Sequence, residues 1–395
     1  MRRWDVVVVG GGPGGATAAR RLAQGGAQVL LLERARLPRY KSCGGAIPLR
    51  TQAELDFPIA AVVEQVVSRT VLTYRNAPIR ELDAGPLRVQ MVMRDRFDLL
   101  LVEQAVRAGA VLHTEEPVRS VEPDGNEMEV ISAAQRYRAR LVVAADGAPS
   151  VAARSLECGR PEGWALEGEL VPVAGAPPVA GEQAHLDFGS VPEGYAWIFP
   201  KADHLSVGVC TRSARVAPRL KELLAGYIAG SAPLRAPAAL QIKGHALPFY
   251  SPGRAICSER IAAVGDAAHL VDPLTGEGIH YAIVSGRLAA ETALDALAGP
   301  ATLLDYQERV RRAFVADFSW SRRLADFFYQ YPYPALRTVC HLRPVGELFL
   351  RILSGQLSYA EVYRRLRRRP LTRALFFLAR TCSGNRLPAL FEAAS

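Results

Sequence analysis

The residues that most restrict this fold stand near the start. Residues 5–9 are an almost unbroken apolar run that ends directly on GGGPGG. Such a run predicts a strand buried on both faces, as in a parallel sheet. The glycines lead into ATAARRLAQGG, a helical stretch whose small residues let it lie close on a sheet. A second apolar run, residues 28–32, then ends at Glu33. This is a βαβ opening with Gly10, Gly12 and Gly15 in GxGxxG spacing. Gly10 permits the tight turn, Gly12 lets backbone approach a pyrophosphate, and Gly15 lets helix meet strand. With Pro13 and Gly14 in the turn, the helix N-terminus offers free N–H groups and a positive dipole end to phosphates. Glu33, followed by Arg34, is placed to accept from ribose hydroxyls. The unit reads as a dinucleotide site, against the alternative of a glycine-rich turn in an ordinary α/β domain.

The chain has 395 residues, 49% of them hydrophobic, which favours two or three structural units with a sizeable core. Its net charge of +9 fits an anionic cofactor, an anionic membrane surface or nucleic acid. Position discriminates among these. Arginines 351, 364, 365, 367, 368, 369, 373 and 380 face a single acid, Glu361, in the C-terminal stretch. No stacking aromatics alternate with them and no nucleic-acid motif accompanies them, which argues against nucleic acid. Beside Leu-Phe-Phe-Leu, they read as an amphipathic anchor on anionic lipid or as a solvated helical cap. The six cysteines are dispersed with no CxxC pair, so a reducing compartment is expected, with a Cys340–Cys382 bridge left open. No secretory leader is expected before the first strand, and no apolar run reaches the ~20 residues of a spanning helix. The expected location is cytoplasmic, with peripheral contact to the inner face of a membrane as its extension.

Two later stretches bear on which dinucleotide is held. RLVVAADGAPS (140–150) is a buried strand ending on Asp146 and Gly147. RIAAVGDAAHLVDPLTGEGIHYAIVSGRLAAETAL (260–294) is a strand, a Gly265-Asp266 turn, a loop with Pro273 and Gly276, and a long helix opening at Gly278 and Ile279. Together with the opening unit, they resemble the FAD-binding domain of the glutathione-reductase/p-hydroxybenzoate-hydroxylase group. That resemblance implies that Asp266 bonds the ribityl chain and that the helix aims its N-terminus at the flavin N1–C2=O edge. A helix dipole there stabilises the negative charge of reduced flavin. MVMRDRFDLLLVEQAVRAGA (91–110) also fits, with Arg94 as the flavin-contacting arginine and Val118 offering backbone to adenine. Turn-forming roles for Asp146 and Asp266, and a surface role for Arg94, are the structural alternatives.

Three segments narrow the group further. They are ERARLPRYKSCGGAIP, with Cys43, Gly44 and Gly45; GYAWIFPKAD (194–203), with Tyr195, Trp197, Phe199 and Pro200; and the PLTGEGI loop. Over roughly residues 4–300 the chain resembles the geranylgeranyl reductase family. The resemblance implies an FAD-dependent reductase that saturates isolated C=C bonds of a polyprenyl group on a lipid, pigment precursor or quinone. Hydride would leave flavin N5 while a proton reaches the other carbon. Gly44 and Gly45 would let backbone pass close to the isoalloxazine, leaving Cys43 near the reacting carbons as proton donor or as the holder of a donating water. A packing cysteine and a redox-sensitive thiol are the other readings. Tyr195, Trp197 and Phe199 alternate, so on a strand they share one face. Closed by Pro200, that face suits an oily tail and places Tyr195 and Trp197 at the reacting site; an ordinary aromatic stripe is the alternative. His280 is read as a structural histidine with its hydrogen bonds satisfied, a proton relay being the other reading. With only one GxGxxG, the external reductant is NADPH binding transiently or reduced ferredoxin. No metal is expected. YAWIFP also resembles the WxWxIP motif of flavin-dependent halogenases, and GDAAH suits aromatic hydroxylases. A monooxygenase or halogenase is therefore the enzymatic rival, and a membrane-attached electron-transfer flavoprotein the non-catalytic one.

The expected fold class is α/β, α+β overall. A Rossmann-like FAD-binding domain with a parallel sheet takes residues 1–69, 92–159 and 255–300. An antiparallel-sheet substrate domain takes 70–91 and 160–254, and a helical region takes 301–395. Ser358 and Glu361 form a capping box opening a helix that Pro370 interrupts.

Overall fold

The computed structural model describes residues 3–83, 85, 87–156, 158–172, 181–231, 234 and 237–367. The opening motif folds as β1 (Arg3–Val9), α1 (Pro13–Gln24) and β2 (Val29–Leu32). The chain continues through β3 (Ala46–Ile47), α2 (Leu49–Ala53), β4 (Val63–Val67), β5 (Arg69–Tyr74), β6 (Ala77–Asp83) and β7 (Val89–Val92). Next come α3 (Arg94–Arg107), β8 (Val111–His113), β9 (Val118–Asp124), β10 (Glu127–Ser132) and β11 (Arg136–Ala144). The middle of the chain forms β12 (Gly163–Pro172), β13 (Gln183–Phe188), β14 (Gly194–Pro200), β15 (Leu205–Thr211), α4 (Leu220–Gly230) and β16 (Pro237–Leu247). Then follow β17 (Ile261–Ala263), α5 (Ile279–Ala298), α6 (Asp305–Gln330), α7 (Pro332–His341), α8 (Arg343–Leu353) and α9 (Tyr359–Arg367).

The first sheet runs β8-β2-β1-β11-β10-β9, with β17 also on β11. Strands β8, β2, β1, β11 and β17 are parallel, and β10 and β9 add an antiparallel hairpin. Val7, between Leu30 and Val142, is fully buried, as an apolar strand covered on both faces must be. Helices α1 and α5 cross at glycines: a Cβ added at Gly286 would lie 2.2 Å from the Gly14 carbonyl oxygen. The expected parallel-sheet domain is therefore present.

The second sheet, β16-β12-β15-β14-β13-β5-β6, is antiparallel at every pairing but one. Strands β13 and β5 run parallel, pinned by buried Asp187, which accepts from Thr73 Oγ1 (2.7 Å) and Asn76 N (2.7 Å). Strand β7 does not join this sheet; it pairs with β3 and β4 in a small third sheet. The α6–α9 helices share a core with the second sheet, in which Phe328, Leu336, Phe349 and Ile352 meet Leu72, Leu82 and Phe188. The Ser358–Glu361 capping box forms reciprocally: Glu361 N donates to Ser358 Oγ (3.2 Å) and Ser358 N to Glu361 Oε2 (2.8 Å). Pro370, Cys382 and the arginines from 368 onward lie outside the described residues. Among the described residues no helix is long and apolar enough to cross a membrane.

Candidate active site

A cavity of about 500 Å³ is lined from both large sheets and from the C-terminal helices. Gly10 and Gly12 after β1, Glu33 and Arg34 after β2, and Val118 at the head of β9 line one part of it. Gly10 has φ +104°, and a Cβ there would sit 2.4 Å from the Ala145 carbonyl oxygen. Gly12 caps α1 without a side-chain acceptor, and a Cβ on it would meet only Arg39 Nη2, at 3.9 Å. The first turn of α1 therefore opens on free space with its N–H groups uncapped, as a phosphate requires. Helix α5 begins the same way, after Gly278 and with no side-chain cap, beside Asp266. These two uncapped helix ends on one cavity fit an FAD-type dinucleotide.

Charged residues hold this part together. Glu33 accepts from Gly11 N (2.9 Å) and Ala35 N (3.0 Å) and pairs with Arg39 Nε (3.2 Å). Arg39 also pairs with Asp98 (3.0 Å), which binds Arg94 in bidentate fashion (2.7 and 2.9 Å). Arg94 is only 7% exposed, which removes the surface-charge reading. Burial opposes its charge, but Asp98 and a hydrogen bond with Cys43 keep the guanidinium above its ordinary range. Asp266 Oδ2 lies 3.3 Å from His245 Nε2, itself 2.9 Å from Lys41 Nζ. Burial pushes the Asp266 carboxyl up, but the His245 hydrogen bond and the Lys41 charge outweigh it and hold the pKa at about 2.

The loop 39–45 lies over one face of the second sheet. Alternation puts Glu167 and Glu169 of β12, Tyr195, Trp197 and Phe199 of β14, Ser206 of β15 and His245 of β16 on that face. The ring centroids of Tyr195 and Trp197 are 5.9 Å apart, and those of Trp197 and Phe199 6.2 Å apart, so the expected aromatic face exists. Gly44 and Gly45 have a reason within the protein. A Cβ on Gly44 would lie 2.8 Å from the Phe199 ring; Gly45 has φ +71°, with its Cβ position 2.0 Å from Val92 O. Buried Lys201 clamps the loop, donating to Gly44 O (2.7 Å) and Val92 O (2.9 Å). Half-buried Cys43 lines the cavity, its Sγ accepting from Gly45 N (3.4 Å).

The PLTGEGI loop is held from two sides. Tyr195 of β14 donates its hydroxyl to Thr275 O. Asp272, fully buried, accepts from Leu274 N, Thr275 N, Ser321 Oγ and the hydroxyls of Tyr281 and Tyr359. Beyond it, Glu277 pairs with Arg50. The expectation that His280 is a satisfied histidine is corrected here. Its Nδ1 is buried without a hydrogen-bond partner, and burial, with Arg50 and Arg287, pushes its pKa down to about 3. Burial and Arg254 likewise push His269 down to about 4.

Both rings stay neutral in the folded chain and protonate near 6.5 when unfolded. Acidification from pH 6.5 towards 4 therefore adds up to two protons to the unfolded state alone. Stability should fall by up to about 1.4 kcal/mol per pH unit for each histidine in that window. Thermal melts at stepped pH should show His280→Gln losing about half of this slope; parallel curves for variant and parent would refute the assignment.

Of the residues singled out in the sequence, Gly15, Pro200 and Pro273 do not line the cavity. Gly15 packs on Gly10, where a Cβ would be 1.9 Å from the Gly10 oxygen. Pro200 pairs with Leu205 at the end of β14, and Pro273 is buried within its loop. Asp146 reaches the cavity, yet its carboxylate serves a turn, accepting from Ser150 Oγ (2.5 Å), Val151 N (2.7 Å) and Ala152 N (3.1 Å). The sequence reading missed Arg39, Lys41, Asp98, Glu167, Lys201 and His245. Only the i,i+4 spacing of Arg94 and Asp98 carried a local signal.

Residues 3–191 match the FAD binding domain family. Digeranylgeranylglycerophospholipid reductase 1 of Methanopyrus kandleri is 32% identical over 349 residues, spanning 82% of this chain and 90% of that protein. A crystal structure of a geranylgeranyl bacteriochlorophyll reductase-like protein from Thermoplasma acidophilum aligns with a TM-score of 0.78 at 25% identity, covering 93% of this chain and 99% of that one. The myxobacterial chondrochloren halogenase aligns with a TM-score of 0.70 at 23% identity over 90% of each chain, a likeness of fold alone.

Proposed function

This chain belongs to the geranylgeranyl reductase family, and we propose on that premise that it saturates isolated C=C bonds of a geranylgeranyl or related polyprenyl group. The chain is an FAD-dependent oxidoreductase acting on C=C bonds. The single observation that carries the reading is one cavity shared by the dinucleotide motifs, the Cys43 loop and the aromatic face of β14. Bound FAD supplies the hydride.

The chain's own residues do the rest. Gly10, Gly12, Pro13 and Gly14 with the α1 N-terminus would hold the pyrophosphate, while Glu33, Arg34 and Val118 flank the ribose and adenine. Arg94, Asp266, Gly276, Gly278 and Ile279 would hold the ribityl and ring end. Tyr195, Trp197 and Phe199, with Leu186, Leu274, Phe349 and Ile352, line an apolar stretch that excludes water and orients an oily tail. An isolated alkene has no carbonyl to accept charge, so proton delivery must accompany reduction. Cys43, directly or through a water it holds, moves that proton. The tail is carried on a lipid, pigment precursor or quinone, and the phospholipid reductase among the relatives makes a digeranylgeranyl lipid the first substrate to try. The external reductant is NADPH or reduced ferredoxin. Peripheral contact with an anionic membrane, through the basic C-terminal stretch that includes exposed Arg364 and Arg365, completes the reading.

The test is anaerobic. Dithionite-reduced protein mixed with geranylgeranyl diphosphate or a digeranylgeranyl lipid should yield products heavier by about two hydrogen masses per bond, read by mass spectrometry. Products that form only with oxygen, heavier by oxygen or halogen, would establish the hydroxylase or halogenase reading instead. Cys43→Ala should slow substrate-driven flavin reoxidation about 100-fold while flavin content stays within twofold. Equal loss of both would reduce the thiol to packing.

A further inference from the structure

Saturating one C=C bond consumes a hydride and a proton. Cys43 can hand over one proton, but nothing in the mechanism above refills it. The face of the second sheet beneath the Cys43 loop carries a carboxyl with no part in that mechanism. Glu167 is only 1% exposed and lines the cavity. Its Oε2 accepts from Ser42 Oγ (2.8 Å), the residue next to Cys43, and its Oε1 from Ser206 Oγ (2.7 Å). A buried carboxyl with two hydroxyl partners and, among the described residues, no bonded cation is costly unless it can take up a proton.

A route to solvent lies beside it. Glu169, two residues along the same strand and on the same face, has its Oε2 3.1 Å from His204 Nε2, an ion-pair contact without hydrogen-bond geometry that a small turn of the imidazole would complete. His204 Nδ1 in turn lies 2.7 Å from Asp203, whose side chain is 88% exposed. The Tyr40 hydroxyl donates to Glu169 Oε1 (3.5 Å) and feels the charge of both carboxyls.

We propose that Glu167 is the proton reservoir of this site, reloading the Cys43 end of the cavity through the Ser42 hydroxyl and drawing its own proton from solvent along His204 and Glu169. The inference rests on the reductase reading. In each cycle the Glu167 O–H bond breaks, Ser42 Oγ takes that proton while passing its own towards Cys43, and a C–H bond forms on the substrate. The two electrons come with the hydride from reduced FAD; Glu167 moves none. It is left a carboxylate until His204 and Glu169 return a proton from water. Glu167 is thus a positioning residue for the proton, acting through Ser42.

The groups facing Glu167 are Glu169 on its own strand, Lys201 after β14, Lys243 opposite it on β16, and Tyr40 from the loop. Burial raises the Glu167 pKa, the two serines and Lys201 oppose that, and Glu169 adds to it. The proton-loaded form should therefore persist above the ordinary carboxylic range. The rate of substrate-driven flavin reoxidation should fall as pH rises through that titration.

The experiment uses the FAD-loaded, dithionite-reduced chain with a digeranylgeranyl lipid under anaerobic conditions. Glu167→Gln, which keeps shape and hydrogen bonding, should retain FAD and slow reoxidation about 100-fold. It should also flatten the alkaline limb of the pH profile, and imidazole added to the buffer should restore part of the rate. Ser42→Ala, which leaves Glu167 in place, should slow the reaction in the same way. Independent of turnover, infrared titration should show one protonated carboxyl band in the wild type that Glu167→Gln lacks. A wild type that saturates no prenyl bond defeats the reductase reading and the inference with it. An active wild type whose Glu167→Gln keeps the rate and pH profile defeats the inference alone, as does an unchanged carboxyl band.

Discussion

Replacing Asp272 by alanine is expected to destabilise the protein by about 4 kcal/mol, among the largest effects of any single change in the chain. The carboxylate is fully buried and accepts from two backbone N–H groups, Ser321 at 2.8 Å, Tyr359 at 3.2 Å and Tyr281 at 3.4 Å. Alanine takes this acceptor from all five donors in a site that water cannot easily refill; Leu274 N keeps Ser321 Oγ (3.2 Å), and each donor left orphaned costs on the order of 1 kcal/mol or more. These partners sit on different elements: Ser321 on α6, Tyr281 on α5, Tyr359 on α9 and the amides in the PLTGEGI loop. The damage should therefore spread. Tm is expected to drop by about 8 °C or more, with early proteolysis within 301–367. Asp272→Asn keeps one acceptor oxygen and should fall between. A Tm within about 2 °C of the parent for Asp272→Ala would show that the loop and helices are held by apolar contact instead.

Gly10→Ala is expected to yield protein without flavin. Its φ of +104° lies where L-residues rarely go, and the new methyl would stand 2.4 Å from the Ala145 oxygen and 2.9 Å from the Asp146 Cα, both backbone. Neither can move without shifting β1 against β11. A cost of about 3 kcal/mol follows from strain and clash together. Since the same turn presents the α1 N-terminus, bound FAD per chain should fall more than tenfold by absorbance. Gly26→Ala is the control. Gly26 also has positive φ, +85°, but no atom lies within 4 Å of its Cβ position. It should cost about 1 kcal/mol and leave flavin content unchanged. Normal flavin content in Gly10→Ala would remove the turn from the binding site.

What could be read before the structure was what short-range pattern encodes. The buried run before GGGPGG, the strand ending at Glu33 and the alternation of Tyr195, Trp197 and Phe199 all depend on neighbours a few residues away, and each took its expected form. The Ser358–Glu361 box formed for the same reason. What stayed hidden depends on pairing distant segments. Nothing near Glu167 or Lys201 marks them as buried; the second sheet and the 39–45 loop must meet first. The parallel match of β13 with β5 joins residues more than a hundred positions apart through Asp187. His280 misled for a related reason: whether a histidine finds partners depends on the segments the fold brings to it, and its Nδ1 is buried without one among the described residues.

The helices that wall the apolar stretch have a consequence for how the molecule is made. Phe349, Ile352, Leu353 and Tyr359 lie downstream of every residue around the two uncapped helix ends. On the ribosome the dinucleotide half is complete while this wall is still unsynthesised, and domains form in order of emergence. The nascent chain thus offers its prosthetic group a wide doorway that later residues narrow. Loss of flavin from the mature protein should then be slow, and refolding without flavin present should be slow to recover it.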